Sequence, residues 1–391
     1  MSILGKATRI IIYSDHFFPS VGGSENYALD LAYELTRQGY IVAVMTAEST
    51  SNQDYFPFRV YRIKKPFSLY NINFNFLDVP KIVREFRPDV FHISYQTGGE
   101  NLLIILLKFL KLPIVLTYHA DHVVLLGRML DKIQSLTTFR FVNRILVQTK
   151  RDYDVFVSCG VKKSKLVLTR FTGVDTKKYS CPKRDKDISS PIRIICIARL
   201  DDSHKYKGVE QLIYAISRET SKSGMNDFEF RIIGSGNMQN YYMELCRIKG
   251  INNIRFMGHV DDKHVVEELC KSDFLILPSI DKAEGFGRVA LEAISAGIPV
   301  VVSVYAGISE LIARYDAGIT YNPLSERSER VFDIIREIYS DREKYNRYIN
   351  NGLKMLNSEG LTLKASVERT ICIYNEVKPT DGSTNIYYSD S

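Results

Sequence analysis

The chain has no tryptophan, only six cysteines, and no apolar run long enough to cross a bilayer. The cysteines, at 159, 181, 196, 246, 270 and 372, form no CxxC pair and no finger-like spacing with histidine. That excludes a zinc ribbon or a disulfide scaffold and suits reduced thiols in a cytosolic compartment. The longest apolar stretch, Leu102 to Leu116, is interrupted by Lys108 and Lys111 and falls short of a membrane span. A secretory leader is not expected, because the run Ile10–Tyr13 is short and leads straight into Ser14 and Asp15. With 23 Gly, 12 Pro and 25% charged residues, composition excludes a collagen-like or wholly disordered chain.

What is present is bulk for a core, 24 Tyr and 20 Phe in 391 residues, a length that predicts two domains. Charge is unevenly placed. Residues 1–185 carry 26 Lys and Arg against 16 Asp and Glu, while residues 186–391 carry 26 against 29, within an overall charge of +7. A basic first half points to an anionic partner, and a solvated basic surface is the alternative.

Arg9–Asp15 is a continuous β-branched run and predicts a buried strand. After a loop containing Pro19, Gly22 and Gly23, residues Ala28, Leu31, Ala32 and Leu35 recur at helical spacing. They predict a helix over Ser24–Gln38, capped by Ser24 and ended by Gly39. Strands are expected at Tyr40–Ala47, Val90–Ser94, Pro113–Tyr118 and Arg144–Gln148, giving a parallel α/β sheet. The polar stretch Ser180–Pro191 reads as a linker, after which the pattern restarts. Strands are expected at Arg193–Ala198, Glu229–Gly234, Ile254–Phe256, Phe274–Pro278 and Pro299–Ser303. Helices are expected at Gly208–Thr220, Asp262–Lys271, Gly287–Ala296 and Ser328–Gly352, the last capped by Ser328 and stopped by Gly352. The expectation is therefore two doubly wound domains, 1–185 and 186–378, with a disordered tail at 379–391. In such sheets ligands bind at the carboxyl ends of the strands, so the site is expected in a cleft between the domains.

The most informative segment runs from Glu284 to Glu292, between the strand ending at Pro278 and the next helix. Residues eight apart on a helix are separated by about 12 Å, which suits a ligand lying along the helix start rather than a metal. Gly285 and Gly287 would let backbone N–H groups approach an anion there. A capped helix with two surface glutamates is the plainer reading. Adjacent acids at Asp201-Asp202 and Asp261-Asp262 are expected to be solvated, and no essential metal is expected.

The segment EGFGRVALEAISAGIPVV resembles the EX7E signature of retaining glycosyltransferases of family 4, which have the GT-B fold. FFPSVGGSENYALDLAYELTRQGYIVAVMT, TRFTGVDTKKY, IARLDDSHKYKGVEQLI, RIIGSGN and FMGHVDDKHVVEELCKSDFLILPS resemble further ordered motifs of that family, across residues 8 to 313. The resemblance implies a GT-B fold of two Rossmann-like domains and transfer of a sugar from a nucleotide-diphosphate donor. Gly22 and Gly23 resemble the loop whose amides meet the donor diphosphate. Arg199 and Lys207 resemble the cationic pair that neutralises the leaving group, with Lys205 the competing lysine. Glu284 resembles the glutamate that contacts the donor sugar, and Glu292 the one that holds the ribose. The amides of Gly285, Phe286, Gly287, Arg288 and Val289 would hold sugar and phosphate oxygens. Gly234, Gly236 and Val260 lie where the family meets the nucleotide. His119, at the carboxyl end of a strand, resembles the histidine near donor sugar and acceptor, although a strand-end histidine is ordinarily structural.

The resemblance implies no resident cofactor, with a UDP- or GDP-sugar as substrate and a glycan, lipid or protein as acceptor. Two stretches, Asn101–Leu112 and Leu125–Arg144 with Arg128, Lys132, Arg140 and Arg144, combine apolar and basic residues. They suit peripheral contact with an anionic membrane, or simply the outer helices of the first sheet. A nucleotide-sugar 2-epimerase and a non-catalytic nucleotide-sugar scaffold are the rivals. Nucleic acid is not expected as a partner, since no recognisable module is present.

Overall fold

The computed structural model describes residues 7–19, 22–47, 55–63, 68–69, 72–73, 78–95, 100–119, 137–182, 191–223 and 227–378. They form two compact units, one of residues 1–172 with 363–391, the other of residues 173–362.

The first unit runs β1 (Arg9–Ser14), α1 (Gly23–Arg37), β2 (Ile41–Thr46), β3 (Arg59–Arg62), the two-residue strands β4 (Ser68–Leu69) and β5 (Ile72–Asn73), and α2 (Val79–Phe86). It continues with β6 (Val90–Tyr95), α3 (Glu100–Phe109), β7 (Ile114–Tyr118), β8 (Arg144–Val147), α4 (Lys150–Ser158) and β9 (Leu166–Leu168). Seven strands pair in the order β3-β2-β1-β6-β7-β8-β9, all in parallel. Strand side chains alternate between faces, so the β1 run feeds two cores. Ile11 and Tyr13 join the residues under α2 and α3, whereas Ile10 and Ile12 join those under α1. Burying each such isoleucine contributes about 1.5–3 kcal/mol, which is why the run is apolar throughout.

The second unit repeats the plan with β10 (Ile192–Ile197), α5 (Val209–Ser223), β11 (Phe228–Ile233), α6 (Gln239–Ile248), β12 (Ile254–Gly258) and α7 (Asp262–Lys271). Then come β13 (Phe274–Leu277), α8 (Arg288–Ser295), β14 (Val300–Ser303), α9 (Ser309–Tyr315), β15 (Gly318–Tyr321), α10 (Arg330–Ser340) and α11 (Arg342–Ser358). Its six strands pair in the order β12-β11-β10-β13-β14-β15. The chain order reverses between β1 and β6 in one sheet and between β10 and β13 in the other. Two doubly wound parallel α/β units of this kind are the GT-B architecture.

The expected boundary at 185/186 moves. The chain passes to the second unit at Gly173 and returns at Leu363, so the final helix α12 (Leu363–Val377) belongs to the first unit. It buries Val367, Thr370, Ile373 and Tyr374 on one side, and Val367, Ile373 and Tyr374 pack with Tyr27, Leu31 and Leu35 of α1. Most of the expected linker and all of the expected tail lie outside the described residues.

Local corrections have local causes. Helix α1 begins at Gly23 with Gly22 at its cap, and the Ser24 hydroxyl donates to Glu25 instead of capping. The expected helix over 328–352 is two helices. Asp341 leaves helical geometry and its carboxylate accepts from the Lys344 amide at 3.0 Å, starting α11. Ser328 is no cap but accepts from Arg218 at 2.6 Å. Gly352 is no stop either. It lies within α11, where an added Cβ would meet Ile294 Cγ2 at 2.8 Å. The thiols are not all reduced, because Cys181 and Cys270 form a disulfide with Cα atoms 5.5 Å apart. Eighty-nine residues separate them in sequence, so only the fold could reveal the pair. Cys159, Cys196, Cys246 and Cys372 are not disulfide-bonded.

Among the described residues no helix is long and apolar enough to cross a membrane. In α3 the apolar side chains Leu103, Ile104 and Leu107 are buried on the sheet, leaving Leu102 and Phe109 exposed. Residues 120–136 of the second amphipathic stretch lie outside the described residues.

Candidate active site

In the second unit the site residues gather at the carboxyl ends of β10 and β13, where the strand order reverses. This is the place a doubly wound sheet offers a ligand. Arg199 follows β10, partly buried. Beyond it a 3₁₀ segment, Asp202–Lys207, leads into α5. Glu284 sits in the loop after β13 and is buried. Lys207 Nζ donates to Glu284 Oε2 at 2.8 Å, and the Ser279 hydroxyl donates to the same oxygen at 2.7 Å. Lys205 points elsewhere. It is exposed and paired with Asp202 at 2.5 Å. Lys207 also lies over the Tyr206 ring, 5.2 Å from its centre.

Glycine lets the segment leading into α5 pack against the backbone just after β13. Gly208 has φ +71°, and a Cβ there would come within 1.9 Å of the Pro278 carbonyl oxygen. We expect Gly208→Ala to destabilise the protein by about 2–4 kcal/mol, read as a lower urea midpoint. An unchanged midpoint would show that this backbone contact is not maintained. The turn after β11 is equally tight. A Cβ on Gly234 would lie 1.9 Å from the Ala198 carbonyl oxygen, and one on Gly236 would strike the Leu200 backbone. Both expected nucleotide-side glycines are thus held against the start of the Arg199 loop.

Helix α8 starts at Arg288, one residue later than expected, with Gly287 at its cap and φ +89°. Glu284 therefore precedes the helix, and the helical spacing to Glu292 does not apply. The carbonyls of Gly285 and Phe286 accept from the amides of Gly307 and Ile308, each at 2.9 Å. That pins the loop, while the first amides of α8 face no earlier turn of their own helix. Glu292 is buried one turn into α8 and accepts from Arg288 Nε at 3.1 Å. Val260 follows β12 and packs on the same core as Phe286 and Val289.

In the first unit Gly22 is extended and opens α1, while an added Cβ on Gly23 would meet nothing within 4 Å. His119 directly follows β7, and its buried Nε2 has no hydrogen-bond partner. Its ring packs edge-on against Tyr27 and Phe171. Burial pushes its pKa down to about 4, against the opposing pull of Glu25, so it is neutral at pH 7. Beneath it lies a buried polar chain. Tyr27 OH meets Thr117 Oγ1 at 3.2 Å, Thr117 Oγ1 meets His92 Nε2 at 2.7 Å, and His92 Nδ1 meets Tyr374 OH at 2.6 Å. Burial and nearby His119 hold His92 at about 3.

Sequence reasoning overlooked Ser279, Glu25 and His92. Ser279 lies two residues beyond β13 and Glu25 two residues beyond the Gly-Gly pair, so position was a usable signal for both. His92, inside an apolar strand, offered none. Asp261 caps α7, accepting from the His264 amide at 2.9 Å, and Asp201 accepts from the Asn237 amide at 3.3 Å. Among the described residues no three His, Cys, Asp or Glu side chains are grouped to hold a metal.

Two family models match, Glycosyltransferase Family 4 over residues 21–178 and Glycosyl transferases group 1 over residues 183–355. Together they take up most of the chain, which belongs to the GT4-type glycosyltransferases they describe. Among curated relatives, glycogen synthase of Mycobacterium tuberculosis is 26% identical over 253 residues, covering 61% of this chain and 58% of the relative. The match to that relative thus spans little more than half its length. The D-rhamnosyltransferase WbpZ of Pseudomonas aeruginosa is 25% identical over 325 residues, covering 80% and 81%. Among solved structures, Anabaena HepE in complex with UDP and glucose superposes with TM-score 0.76 at 17% identity, covering 94% and 100%. At that identity the likeness establishes the fold.

Proposed function

We propose that this chain transfers a sugar from a UDP- or GDP-linked donor to a hydroxyl of a glycan, lipid or protein acceptor, with retention and without a metal or resident cofactor. The observation that carries the reading is the Lys207–Glu284 pair, with Glu284 buried and Lys207 half-buried, at a strand switch point beside the start of α8. A cation, a carboxylate and a helix start meet there, as a sugar diphosphate requires. The HepE structures with UDP and with UDP-glucose support a nucleotide-sugar donor.

In this reading Arg199 and Lys207 face the diphosphate, and Glu284, released from Lys207, accepts from donor sugar hydroxyls. Glu292 takes the ribose hydroxyls. The amides from Gly285 to Val289 meet sugar and phosphate oxygens, with the helix start favouring negative charge. Gly22 and Gly23 open their amides to the diphosphate, Gly234 and Gly236 bring backbone close to the nucleotide, and Val260 packs on the base. His119, neutral and with an open Nε2, offers one hydrogen bond to substrate. The bond from the anomeric carbon to phosphate breaks with its electron pair leaving on the diphosphate. The acceptor oxygen bonds to that carbon on the same face, and its proton passes to the departing phosphate oxygen. Fixed cations stabilise the charge that develops on the leaving group.

Calorimetric titration with UDP, GDP and ADP tests the donor site. One diphosphate is expected to bind, about tenfold or more weaker in Arg199→Ala. Silence from all three in folded protein would overturn the assignment. Acceptor-dependent transfer, lost in Glu284→Ala, separates transfer from epimerisation and from mere binding.

A further inference from the structure

At the amino ends of β7, β8 and β9, neighbours in the first sheet, three connections converge. The last turn of α3 carries Lys108 and the turn after it Lys111, the 3₁₀ turn Phe139–Phe141 carries Arg140, and the 3₁₀ turn Lys163–Lys165 leads into β9. They enclose a concavity of about 620 Å³ whose lining includes Lys108, Lys111, Arg140, Arg144 and Lys165. Glu376 offsets Arg144 at 3.2 Å. Lys108 and Arg140 meet no carboxylate among the described residues, and Arg140 lies over the Phe141 ring instead. Lys165 is the best-held cation. Its Nζ donates to the Arg140 carbonyl at 2.6 Å and the Val142 carbonyl at 2.7 Å, leaving its third N–H for a ligand. Burial and the crowding of Lys162, Lys108 and Arg144 lower its pKa.

Like charges brought together around a hollow repel one another, and a polyanion relieves that repulsion. Neutral donors Asn143 and Ser164 share the lining. The hollow opens at the end of β7 opposite His119. At about 3.3 Å per strand residue, the length of β7 separates it from the candidate active-site residues of this unit.

We propose that this hollow is a second ligand site, distinct from the donor site, for a molecule bearing two or more phosphate charges. The phosphates belong either to a lipid headgroup or to a small soluble compound. The test uses the full chain, saturated with whichever nucleoside diphosphate it binds, so that the donor site does not contribute. Inorganic tripolyphosphate is titrated into wild type and into Lys108→Glu/Arg140→Glu, both exposed positions, with Tm measured to confirm that the variant is folded. Lys249→Glu/Lys354→Glu, exposed in the second unit, makes the same charge change elsewhere. Cosedimentation with vesicles containing cardiolipin, whose headgroup bears two phosphates, and with phosphatidylcholine vesicles runs in parallel.

Tripolyphosphate binding that weakens about tenfold or more in the first double variant and not in the second supports the site. Capture by cardiolipin vesicles and not by phosphatidylcholine, lost in the first variant, assigns a headgroup, and tripolyphosphate binding without vesicle capture assigns a soluble ligand. No binding of either probe, or equal loss in both double variants, overturns the proposal. If the diphosphate titrations fail while tripolyphosphate binding follows Lys108 and Arg140, this site stands without the donor site.

Discussion

Lys207→Met is expected to lower kcat for sugar transfer by about 10²–10³-fold, the cost of removing one charge-stabilising group from a leaving-group site. The same change strands Glu284. Its carboxylate is 4% exposed and would keep only the Ser279 hydroxyl, so Tm should fall as well. A double variant separates the two effects. In Lys207→Met/Glu284→Gln no charge is left unpaired and the amide oxygen can still accept from Ser279, so Tm should return close to wild type. Activity should not return, because neither the cation nor the carboxylate is restored. Recovery of transfer together with Tm would mean that the pair is a structural strut, and the catalytic assignment would fall. Lys205→Met serves as the comparison. That lysine is exposed and paired with Asp202, and its loss should leave both readings nearly unchanged.

Tyr374→Ala is expected to produce the largest loss of stability. The side chain is fully buried between α12 and the first sheet. Removing a buried aromatic ring costs about 3–5 kcal/mol through lost burial and the cavity left behind. His92 Nδ1 also loses its 2.6 Å partner, adding about 1–3 kcal/mol for a stranded buried polar atom. For a unit of this size the ring alone corresponds to a fall of about 6–20 °C in Tm, measurable by near-UV circular dichroism. Tyr374→Phe keeps the ring and removes only the hydroxyl, so it should lose the smaller share. If the alanine variant melts with wild type, α12 is not part of the first unit's core.

Tyr374 also shows where sequence reading fails. Nothing in ERTICIYNEV shows which of two sheets it covers, and its position after the second unit's pattern assigned it there. Its apolar face fits α1 and the first sheet, so the chain returns. The boundary at 172/173 follows from the same fact. The doubly wound plan itself was legible, since runs such as RIIIYS and RIICI can be satisfied only by a sheet covered on both faces. Short strands with weak patterns, β3, β9 and β15, were missed, because their pairing comes from neighbours more than from their own residues. The break at Asp341 was available as a capping signal, but Ser328 and Gly352 were read as the ends of one helix.

At the site, residue types and their order identified Glu284, Glu292, Arg199 and His119 as candidates. Sequence alone therefore determined the fold class, the family and the segment holding the candidate carboxylates, because periodicity, glycine placement and motif order are local properties of the chain. Only the tertiary structure decided that Lys207, not Lys205, meets Glu284, that Cys181 meets Cys270, and that five cations from separate parts of the first unit surround one hollow. Each of these joins residues far apart in sequence, and the packing of strands and helices sets such distances.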